Sequence, residues 1–383
     1  MASNFCGIIS IIILIPMDNG RNKRILVLTA QKGGGHRSSS DAIEKAIMGS
    51  SPDTEICSFD ALELYPGYTG DEKGYISFTT RFRVLWKLFF EFTSLFSGMS
   101  NFILYKVIYK RFKELADREN PDIILSVHPC FVGCVHKCLK KMRLDVPVCV
   151  CIVDLVKHSR LWHDKKSALT FVPTSAMYDL LLKKGFQKDR VVHSGFPTKD
   201  NFDSELKIRK TEISTPNVLM VNPSLKRGKV VLGFISAALK HDVDLIVVTG
   251  NNKKLKNYLE KRLLNAQNVT VLDYVFDMDK KMASADVLIT KAGPNILMEA
   301  VKMRVPVLIT GHILGQEEKN YQYITENGYG FRCKSPKELG DALTRLFANR
   351  CELLKEISRN EQACNDTSGA GIIAEKLLGF RGF

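Results

Sequence analysis

The sequence predicts an α/β protein with two doubly wound, Rossmann-like domains that face each other across a cleft. Apolar runs of buried-strand length alternate with helical stretches, and this series occurs twice, on either side of a polar, charged segment at residues 198–215. A chain of 383 residues is too long for one ordinary core and fits two domains of roughly 150–200 residues. Because open α/β sheets bind ligands outside the carboxyl ends of their strands, we expect the functional site in the cleft.

The first domain is assigned to residues 21–200. It opens with the apolar run RILVLTA at 24–30, then a glycine cluster, then a stretch at 36–47 whose apolar residues share one helical stripe. Further strands are predicted at residues 54–59, 122–127, 147–153 and 168–172. The apolar run at residues 8–15 is too short to span a bilayer and lacks signal-peptide features, so residues 1–20 are excluded from the fold prediction.

The second domain is assigned to residues 216–345, followed by a helical tail at 346–383. Its strands are predicted at residues 217–222, 244–249, 269–273, 286–290 and 306–309. Its helices are predicted at residues 226–240, 253–266, 293–303 and 316–326. This regular alternation favours a parallel sheet.

The charge balance indicates an anionic partner. Lysine and arginine number 55 against 41 aspartates and glutamates, so the formal net charge is +14. Such a balance favours nucleic acid, an anionic membrane surface or phosphate-bearing substrates. The sequence contains neither an aromatic RNA-recognition pattern nor zinc-finger spacing, so we predict no nucleic-acid partner.

The ten cysteines do not form the clusters of a disulfide-stabilised secreted protein. Cys130, Cys134 and Cys138 recur every four residues on one helix face, with His128 nearby, so a metal site is one interpretation. The interpretation we favour is a set of buried thiols in a reducing cytosol, with no metal.

An aromatic, basic stretch at residues 75–113 departs from the α/β alternation. Twelve aromatic residues are interleaved with lysines and arginines, and acidic residues are scarce. This composition is typical of a membrane-interface segment, with Trp86, Phe89 and Phe90 as the predicted contacts. The alternative is a helix pair that packs its aromatic residues inward on the first domain.

The first glycine turn carries the candidate catalytic histidine. Gly33, Gly34 and Gly35 let a ligand approach the backbone closely, although neither a P-loop nor a G-x-G-x-x-G pattern is present. His36 falls at the start of the predicted helix, where the positive helix end favours a neutral imidazole that can accept a proton. A structural or capping role for His36 is the equally weighted alternative.

A second turn of this kind follows the strand predicted at residues 286–290. Gly293 allows close approach, Pro294 suits the first helical turn, and free backbone N–H groups near Asn295 can hold a phosphate. Glu299 lies one turn later, where it could accept hydrogen bonds from ribose hydroxyls. An ordinary strand–helix turn with a solvated glutamate is the alternative.

Gln316 and Glu317 follow the last predicted strand and point toward the same strand ends. Together they offer a donor and an acceptor, which suits vicinal hydroxyl groups. A polar helix start, with Glu317 at a favourable dipole end, explains them equally well.

In combination these motifs resemble the monogalactosyldiacylglycerol synthase and diacylglycerol glucosyltransferase family, within the family 28 glycosyltransferases. The resemblance covers roughly residues 24–345, with motifs in matching order and spacing. In the first half it comprises Lys-Gly-Gly-Gly-His-Arg-Ser at 32–38, Val153-Asp154, His158, Trp162 and Gly195-Phe196-Pro197. In the second half it comprises Thr290-Lys291-Ala292-Gly293-Pro294, Met298-Glu299-Ala300, Pro306-Val307, Gly315-Gln316-Glu317, Asn320 and Asn327-Gly328.

The resemblance implies a GT-B fold and inverting transfer of a hexose from UDP-glucose or UDP-galactose to a diacylglycerol-type lipid, without a metal or other cofactor. It also implies peripheral attachment to an anionic membrane surface, which we expect to be the cytoplasmic face of the cell membrane. The expected base is His36, with Asp154 second. The expected donor-binding residues are Gly293, Pro294, Asn295, Glu299, Gln316, Glu317, Lys226, Arg227 and, at the uracil edge, Tyr274 and Val275.

Two departures from the family pattern keep two other functions open. Residues 221–228 contain one late glycine where a glycine-rich loop is usual, and Asn295-Ile296 stands where Gly-Thr is commoner. A sugar-nucleotide epimerase would use the same fold without needing the 75–113 segment, and a non-catalytic UDP-sugar sensor would bind the donor without transferring it.

Overall fold

The computed structural model describes residues 22–30, 35–68, 83–202, 214–221 and 228–381. Within these residues the chain forms two six-stranded sheets, and every strand pair in both sheets is parallel. The predicted α/β class with two Rossmann-like sheets is therefore confirmed.

The first sheet is formed by the first half of the chain. Its strands are β1 (Arg24–Thr29), β2 (Glu55–Asp60), β3 (Ile123–Ser126), β4 (Val148–Cys151), β5 (Thr170–Val172) and β6 (Val191–His193). The α-helices of this half are α1 (Gly35–Ser50), α2 (Arg83–Leu95), α3 (Ser97–Glu119), α4 (Gly133–Met142) and α5 (Ser175–Lys183). The predicted stripe of α1 is buried at Ala42, Ile43 and Ile47, which fixes the helix against the sheet.

The second sheet is formed by residues after the predicted linker. Its strands are β7 (Asn217–Val221), β8 (Asp244–Val248), β9 (Val269–Leu272), β10 (Val287–Lys291), β11 (Val307–Gly311) and β12 (Gly330–Arg332). The α-helices of this half are α6 (Gly228–Ala238), α7 (Lys253–Arg262), α8 (Met278–Ser284), α9 (Pro294–Lys302), α10 (Asn320–Glu326), α11 (Pro336–Phe347), α12 (Glu352–Gln362) and α13 (Gly369–Gly379).

The strand orders place a switch point in each sheet. The first sheet runs β2-β1-β3-β4-β5-β6, and the second runs β12-β11-β10-β7-β8-β9. The order therefore reverses between β1 and β3 in the first sheet and between β7 and β10 in the second. Ligands of doubly wound sheets bind at such points, outside the carboxyl ends of the strands.

The chain crosses between the two halves at two segments that pair with each other. Phe196 N donates to Asp366 O at 2.6 Å, and Gly369 N donates to Phe196 O at 3.0 Å. Gly195 adopts a φ of +81°, and a Cβ there would lie 3.1 Å from the Asp366 carbonyl, so the close approach requires glycine.

The last helix returns to the first domain. Helix α13 packs against α1, and Lys23 Nζ donates to the carbonyls of Leu377, Leu378 and Phe380 at 2.7–2.9 Å. A lysine is favourable there because the carbonyl end of a helix carries partial negative charge. Within the tail predicted at residues 346–383, the structure forms α12 and α13, and α13 stabilises the first half of the chain.

All ten predicted strands are present, with ends that differ by no more than two residues. The three-residue strands β6 and β12 were not predicted. The helix predicted from residue 316 begins at Asn320, because residues 312–319 form a loop after β11. Residues 1–20, most of the predicted linker and residues 75–82 of the aromatic, basic stretch lie outside the described residues.

Candidate active site

His36 lies in the first turn of α1, at the switch point of the first sheet. Its Nδ1 is 2.7 Å from the carbonyl oxygen of Val127, immediately after β3. A carbonyl only accepts, so Nδ1 carries the proton and Nε2 keeps its lone pair. Burial lowers the pKa of His36 to about 4, although the Val127 carbonyl acts in the opposite direction. His36 is therefore a neutral imidazole that can accept a proton at Nε2.

Three further side chains surround His36 at the ends of β3 and β4. The ring of His128 lies 4.7 Å from the His36 ring, and the ring of Trp162 lies 6.4 Å away. Trp162 Nε1 donates to Asp154 Oδ2 at 2.8 Å. The two predicted base candidates, His36 and Asp154, thus contact the same indole ring from different strand ends.

Asp154 is buried, and burial raises the pKa of its carboxyl to about 7, while the Trp162 hydrogen bond lowers it and nearby Glu317 raises it. Near neutral pH the carboxyl is thus divided between its charged and protonated forms.

The second glycine turn is the entry to α9. β10 ends at Lys291, Gly293 occupies the N-cap position of α9, and Pro294 follows at the first helical position. Glycine has no side chain to accept from the first-turn N–H groups, and none of the helix's own carbonyls can reach them. These N–H groups, together with the positive helix end, suit a phosphate.

Glu317 and Lys291 form an ion pair beside this turn. Lys291 Nζ lies 2.5 Å from Glu317 Oε1, and Ile313 N donates to Glu317 Oε2 at 2.8 Å. The buried Glu317 carboxylate is therefore held by both oxygens, and the lysine positions a cation next to Gly293. Asn320 supports the same turn by donating to Ala292 O at 2.9 Å.

The starts of helices α1 and α9 meet across the cleft. Asn295 Nδ2 donates to Ser39 Oγ of α1 at 3.1 Å, and a Cβ on Gly35 would lie 3.0 Å from Asn295 Oδ1. Glu299 is buried on α9, and burial raises its pKa to about 7, while Lys199 and a hydrogen bond with Ser38 lower it. The start of α9 therefore lies directly against the start of α1.

The other predicted donor residues lie farther out or outside the described residues. Tyr274 is exposed and Val275 is half-buried in the segment after β9. Gln316 is half-buried beside Glu317. Gly33, Gly34, Lys226 and Arg227 lie outside the described residues.

Helices α2 and α3 carry an exposed apolar stripe. The stripe consists of Val84, Leu88, Phe92, Leu95, Phe96, Met99, Phe102, Ile103 and Val107. Each of these residues exposes between 41% and 67% of its surface. A contiguous exposed apolar surface of this kind is typical of a protein or membrane contact. Among the described helices, none has the length and hydropathy needed to cross a bilayer.

Of the membrane contacts named from the sequence, Phe90 is the one whose side chain the structure describes, and it is not part of this stripe. Phe90 is half-buried and faces the second domain, where its Cδ1 would lie 3.4 Å from a Cβ on Gly315. In this structure Phe90 is thus an interdomain contact. The side chains of Trp86 and Phe89 lie outside the described part of the chain.

The cysteine series has an apolar environment. Cys134 and Cys138 are buried in a hydrophobic cluster with Phe112 and Phe131, and burial raises the pKa of both thiols. Within the described ranges, no three His, Cys, Asp or Glu side chains are grouped as ligands for a metal ion. His128 belongs to the switch point beside His36.

Sequence reasoning assigned no role in the active site to Lys291, His128, Ser38 or Ser39. Lys291 and Ser38 stood inside quoted motifs, but their partners, Glu317 and Glu299, are distant along the chain. His128 follows a predicted strand end, which is a usable signal in a doubly wound sheet.

The fold and the site define a class of protein. Two Rossmann-like sheets facing across a cleft, with an uncapped helix start on one side and a neutral histidine on the other, form a GT-B architecture. Residues 36–198 match the family model for monogalactosyldiacylglycerol (MGDG) synthase, and residues 226–371 match the model for the glycosyltransferase family 28 C-terminal domain. The chain belongs to the monogalactosyldiacylglycerol synthase family.

Curated relatives agree with this assignment. Monogalactosyldiacylglycerol synthase 3 of Arabidopsis thaliana is 28% identical over 361 residues, covering 89% of this chain and 77% of the relative. Monogalactosyldiacylglycerol synthase of Spinacia oleracea is 28% identical over 362 residues, covering 88% of this chain and 69% of the relative. Both relatives are described as chloroplastic.

Solved structures share the fold. MurG of Acinetobacter baumannii superimposes with a TM-score of 0.60 at 15% identity, covering 92% of this chain and 98% of that one. The UDP complex of MnaA from S. aureus superimposes with a TM-score of 0.59 at 16% identity, covering 93% and 95%. At these identities the likeness concerns the fold alone.

Proposed function

We propose that this protein is an inverting glycosyltransferase that moves a hexose from UDP-galactose or UDP-glucose to a diacylglycerol-type lipid at a membrane surface. The observation that carries the proposal is the contact between the starts of α9 and α1, where Asn295 donates to Ser39. It brings a proton acceptor in the first domain next to an anion-binding helix start in the second. Family membership and the names of the relatives supply the sugar nucleotide and the lipid.

The donor is proposed to bind at the carboxyl ends of β10 and β11. The first-turn N–H groups of α9 and the Lys291 cation would hold the pyrophosphate and stabilise the charge that develops on departing UDP. Glu299 would hold the ribose, and Gln316 with Glu317 would bind the sugar hydroxyls. Tyr274 and Val275 would lie at the edge of the uracil. Lys226 and Arg227 would add positive charge near the departing UDP.

The acceptor hydroxyl is proposed to lose its proton to His36. Its Nε2 lone pair is fixed by the Val127 carbonyl, and its buried ring remains neutral at physiological pH. The hydroxyl oxygen would attack the anomeric carbon from the face opposite UDP, so one displacement inverts the configuration. Asp154, behind Trp162, is the second candidate for the base.

Membrane attachment is proposed to use the apolar stripe of α2 and α3. Diacylglycerol remains in a bilayer, so the enzyme has to reach it there. Half-exposed aromatic and aliphatic side chains suit the interface, and a chain of net charge +14 suits an anionic surface. We place the protein at the cytoplasmic face of the cell membrane, where its free thiols stay reduced.

The test is to incubate the purified protein with mixed-lipid vesicles containing diacylglycerol and with each labelled UDP-sugar, and to analyse both products by mass spectrometry. We expect a hexosyl lipid and released UDP. A parallel incubation without lipid addresses the epimerase alternative, since an epimerase would convert the sugar nucleotide alone. Binding of the UDP-sugar without any lipid product would indicate a sensor and contradict the proposal.

A further inference from the structure

A charged contact joins α2 to the second domain, and the transfer chemistry above makes no use of it. Glu318 follows Glu317 in the loop after β11. Its Oε1 lies 3.1 Å from Lys87 Nζ of α2, and its Oε2 lies 3.4 Å from Lys157 Nζ, in the segment after β4. Lys157 also lies 3.2 Å from Glu91 of α2. One carboxylate of the second domain is thus held by two lysines of the first.

The backbone of the loop approaches α2 closely at the same place. Gly315 has a φ of +86°, and a Cβ there would lie 3.6 Å from the Lys87 Cα. Two turns further along the same face, α2 is held to the first domain, because Ser94 Oγ accepts a hydrogen bond from Arg160 N at 2.9 Å. Because α2 is held by the first domain, its contacts with Gly315 and Glu318 limit the position of the loop at residues 312–319.

The two adjacent glutamates of this loop are held by different domains. Glu317 is bound by Lys291 and by Ile313 N within the second domain. Glu318 is bound by the first-domain lysines. Because neighbouring residues share a backbone, fixing Glu318 also limits where Gln316 and Glu317 can lie.

We propose that Glu318 is a positioning residue for sugar recognition: its bridge to Lys87 and Lys157 holds the loop so that Gln316 and Glu317 meet the hexose of the donor. The inference rests on the proposed function, in which these two residues bind the sugar. An isolated exposed ion pair contributes little, but several charges in one fixed geometry contribute more. In the proposed function the uracil, the ribose and most phosphate contacts belong to residues outside this loop, so the bridge is expected to affect the hexose more than the UDP moiety.

The test compares affinities for UDP-galactose, UDP-glucose and UDP, measured by calorimetry on the full chain without lipid. Glu318→Lys places three cations together, and like charges brought together are strongly unfavourable. We expect its affinity for the preferred UDP-sugar to fall about tenfold, with the affinity for UDP unchanged. Lys87→Glu should act in the same direction.

Combining Lys87→Glu with Glu318→Lys restores an opposite-charge pair, while Lys157 keeps Glu91. We expect this double variant to recover most of the lost UDP-sugar affinity. Lys256→Glu is the matched control, since Lys256 lies 2.9 Å from Asp273 and 3.6 Å from Glu260 in a similar cluster away from α2. It should leave the ratio of UDP-sugar to UDP affinity as in the wild type, and melting curves check that all variants fold.

A folded Glu318→Lys variant with an unchanged ratio, or a double variant without recovery, would overturn the positioning role. Wild-type protein that binds UDP-sugar but transfers nothing to lipid would refute the proposed transfer while leaving the ratio test valid. If the wild-type protein binds neither UDP-sugar, both the proposed transfer and the positioning role of Glu318 are overturned.

Discussion

The two sheets share one architecture but carry different chemistry at their switch points. The first presents His36, His128 and Trp162, which are neutral and closely packed. The second presents the open start of α9 with the charged pair of Lys291 and Glu317. A strand–glycine–helix turn is therefore a general scaffold. The side chains around the turn decide whether the site suits proton transfer or the binding of an anion.

Removing the proton acceptor of the first sheet is expected to have the largest effect on transfer. His36→Ala is expected to lower single-turnover transfer by about 10²–10⁴-fold, the usual cost of losing a general base. Calorimetric affinity for UDP should stay unchanged, because the histidine acts on the acceptor. His241→Ala, in the second domain, is the control. Near-normal transfer by His36→Ala would move the role of base to Asp154.

On the other side of the cleft, Glu299→Ala is expected to weaken UDP binding. Losing hydrogen bonds to a charged group costs about 1.5–3 kcal/mol, which is roughly 10- to 150-fold in the dissociation constant. Titration calorimetry measures the change, with the exposed Glu326→Ala of α10 as control. Unchanged affinity in a folded variant would remove Glu299 from the donor site.

The apolar stripe is a further difference between the two halves of the chain, because it lies on α2 and α3 of the acceptor side alone. Replacing Leu88, Phe92 and Phe102 with serine is expected to reduce vesicle binding roughly 150-fold, since each half-exposed side chain contributes about 1 kcal/mol on burial. UDP affinity and the melting temperature should be preserved, because these side chains are exposed.

Sedimentation with anionic vesicles at low and high salt measures this effect, and added salt should weaken wild-type binding. The control is Leu264→Ser, which changes an 81% exposed leucine of the second domain. If the triple variant sediments with vesicles like the wild type, the stripe is not the membrane contact.

The smallest expected effect concerns Asp154 and pH. Burial raises its folded-state pKa to about 7 from a usual 3.8, so the folded protein holds this proton more tightly than the unfolded chain. Its contribution to stability is complete below the unfolded pKa and is lost as pH rises through about 7. Asp154→Asn keeps the hydrogen-bond acceptor for Trp162 but cannot ionise.

Melting temperatures at pH 5 and pH 8 measure this contribution. The wild type should lose a few degrees relative to Asp154→Asn over that interval, because the variant removes only the ionisation of Asp154. Parallel pH dependences of the two proteins would mean that Asp154 has an ordinary pKa.

The sequence predicted local features of the fold well. Strands such as β1 and β10 are long apolar runs next to glycine turns, so periodicity and turn chemistry agree. β6 and β12 have three residues each and lie outside any longer apolar run, whereas the equally short β5 lies within the apolar run at residues 168–172. The return of α13 to the first domain depends on Lys23, more than 350 residues away in the chain, and no local signal encodes such a contact.

The sequence allowed the motifs of the site to be predicted, but not which residues contact each other within it. The turns that carry His36 and Gly293 were visible, since glycine next to a strand end has a physical purpose there. The pairs Asn295 with Ser39 and Lys291 with Glu317 arise only when the two sheets face each other. For the same reason Phe90 was expected at the membrane, whereas its ring faces Gly315 of the second domain.

The anomeric configuration of the lipid product tests the central claim most directly. One displacement across the cleft, with the proton taken on one side and UDP held on the other, converts the α-linked donor into a β-linked glycolipid. Proton NMR of the purified product distinguishes the two linkages. We expect a β-hexosyl lipid, with one UDP released per sugar transferred. An α-linked product, or an altered UDP-sugar with no glycolipid, would contradict it.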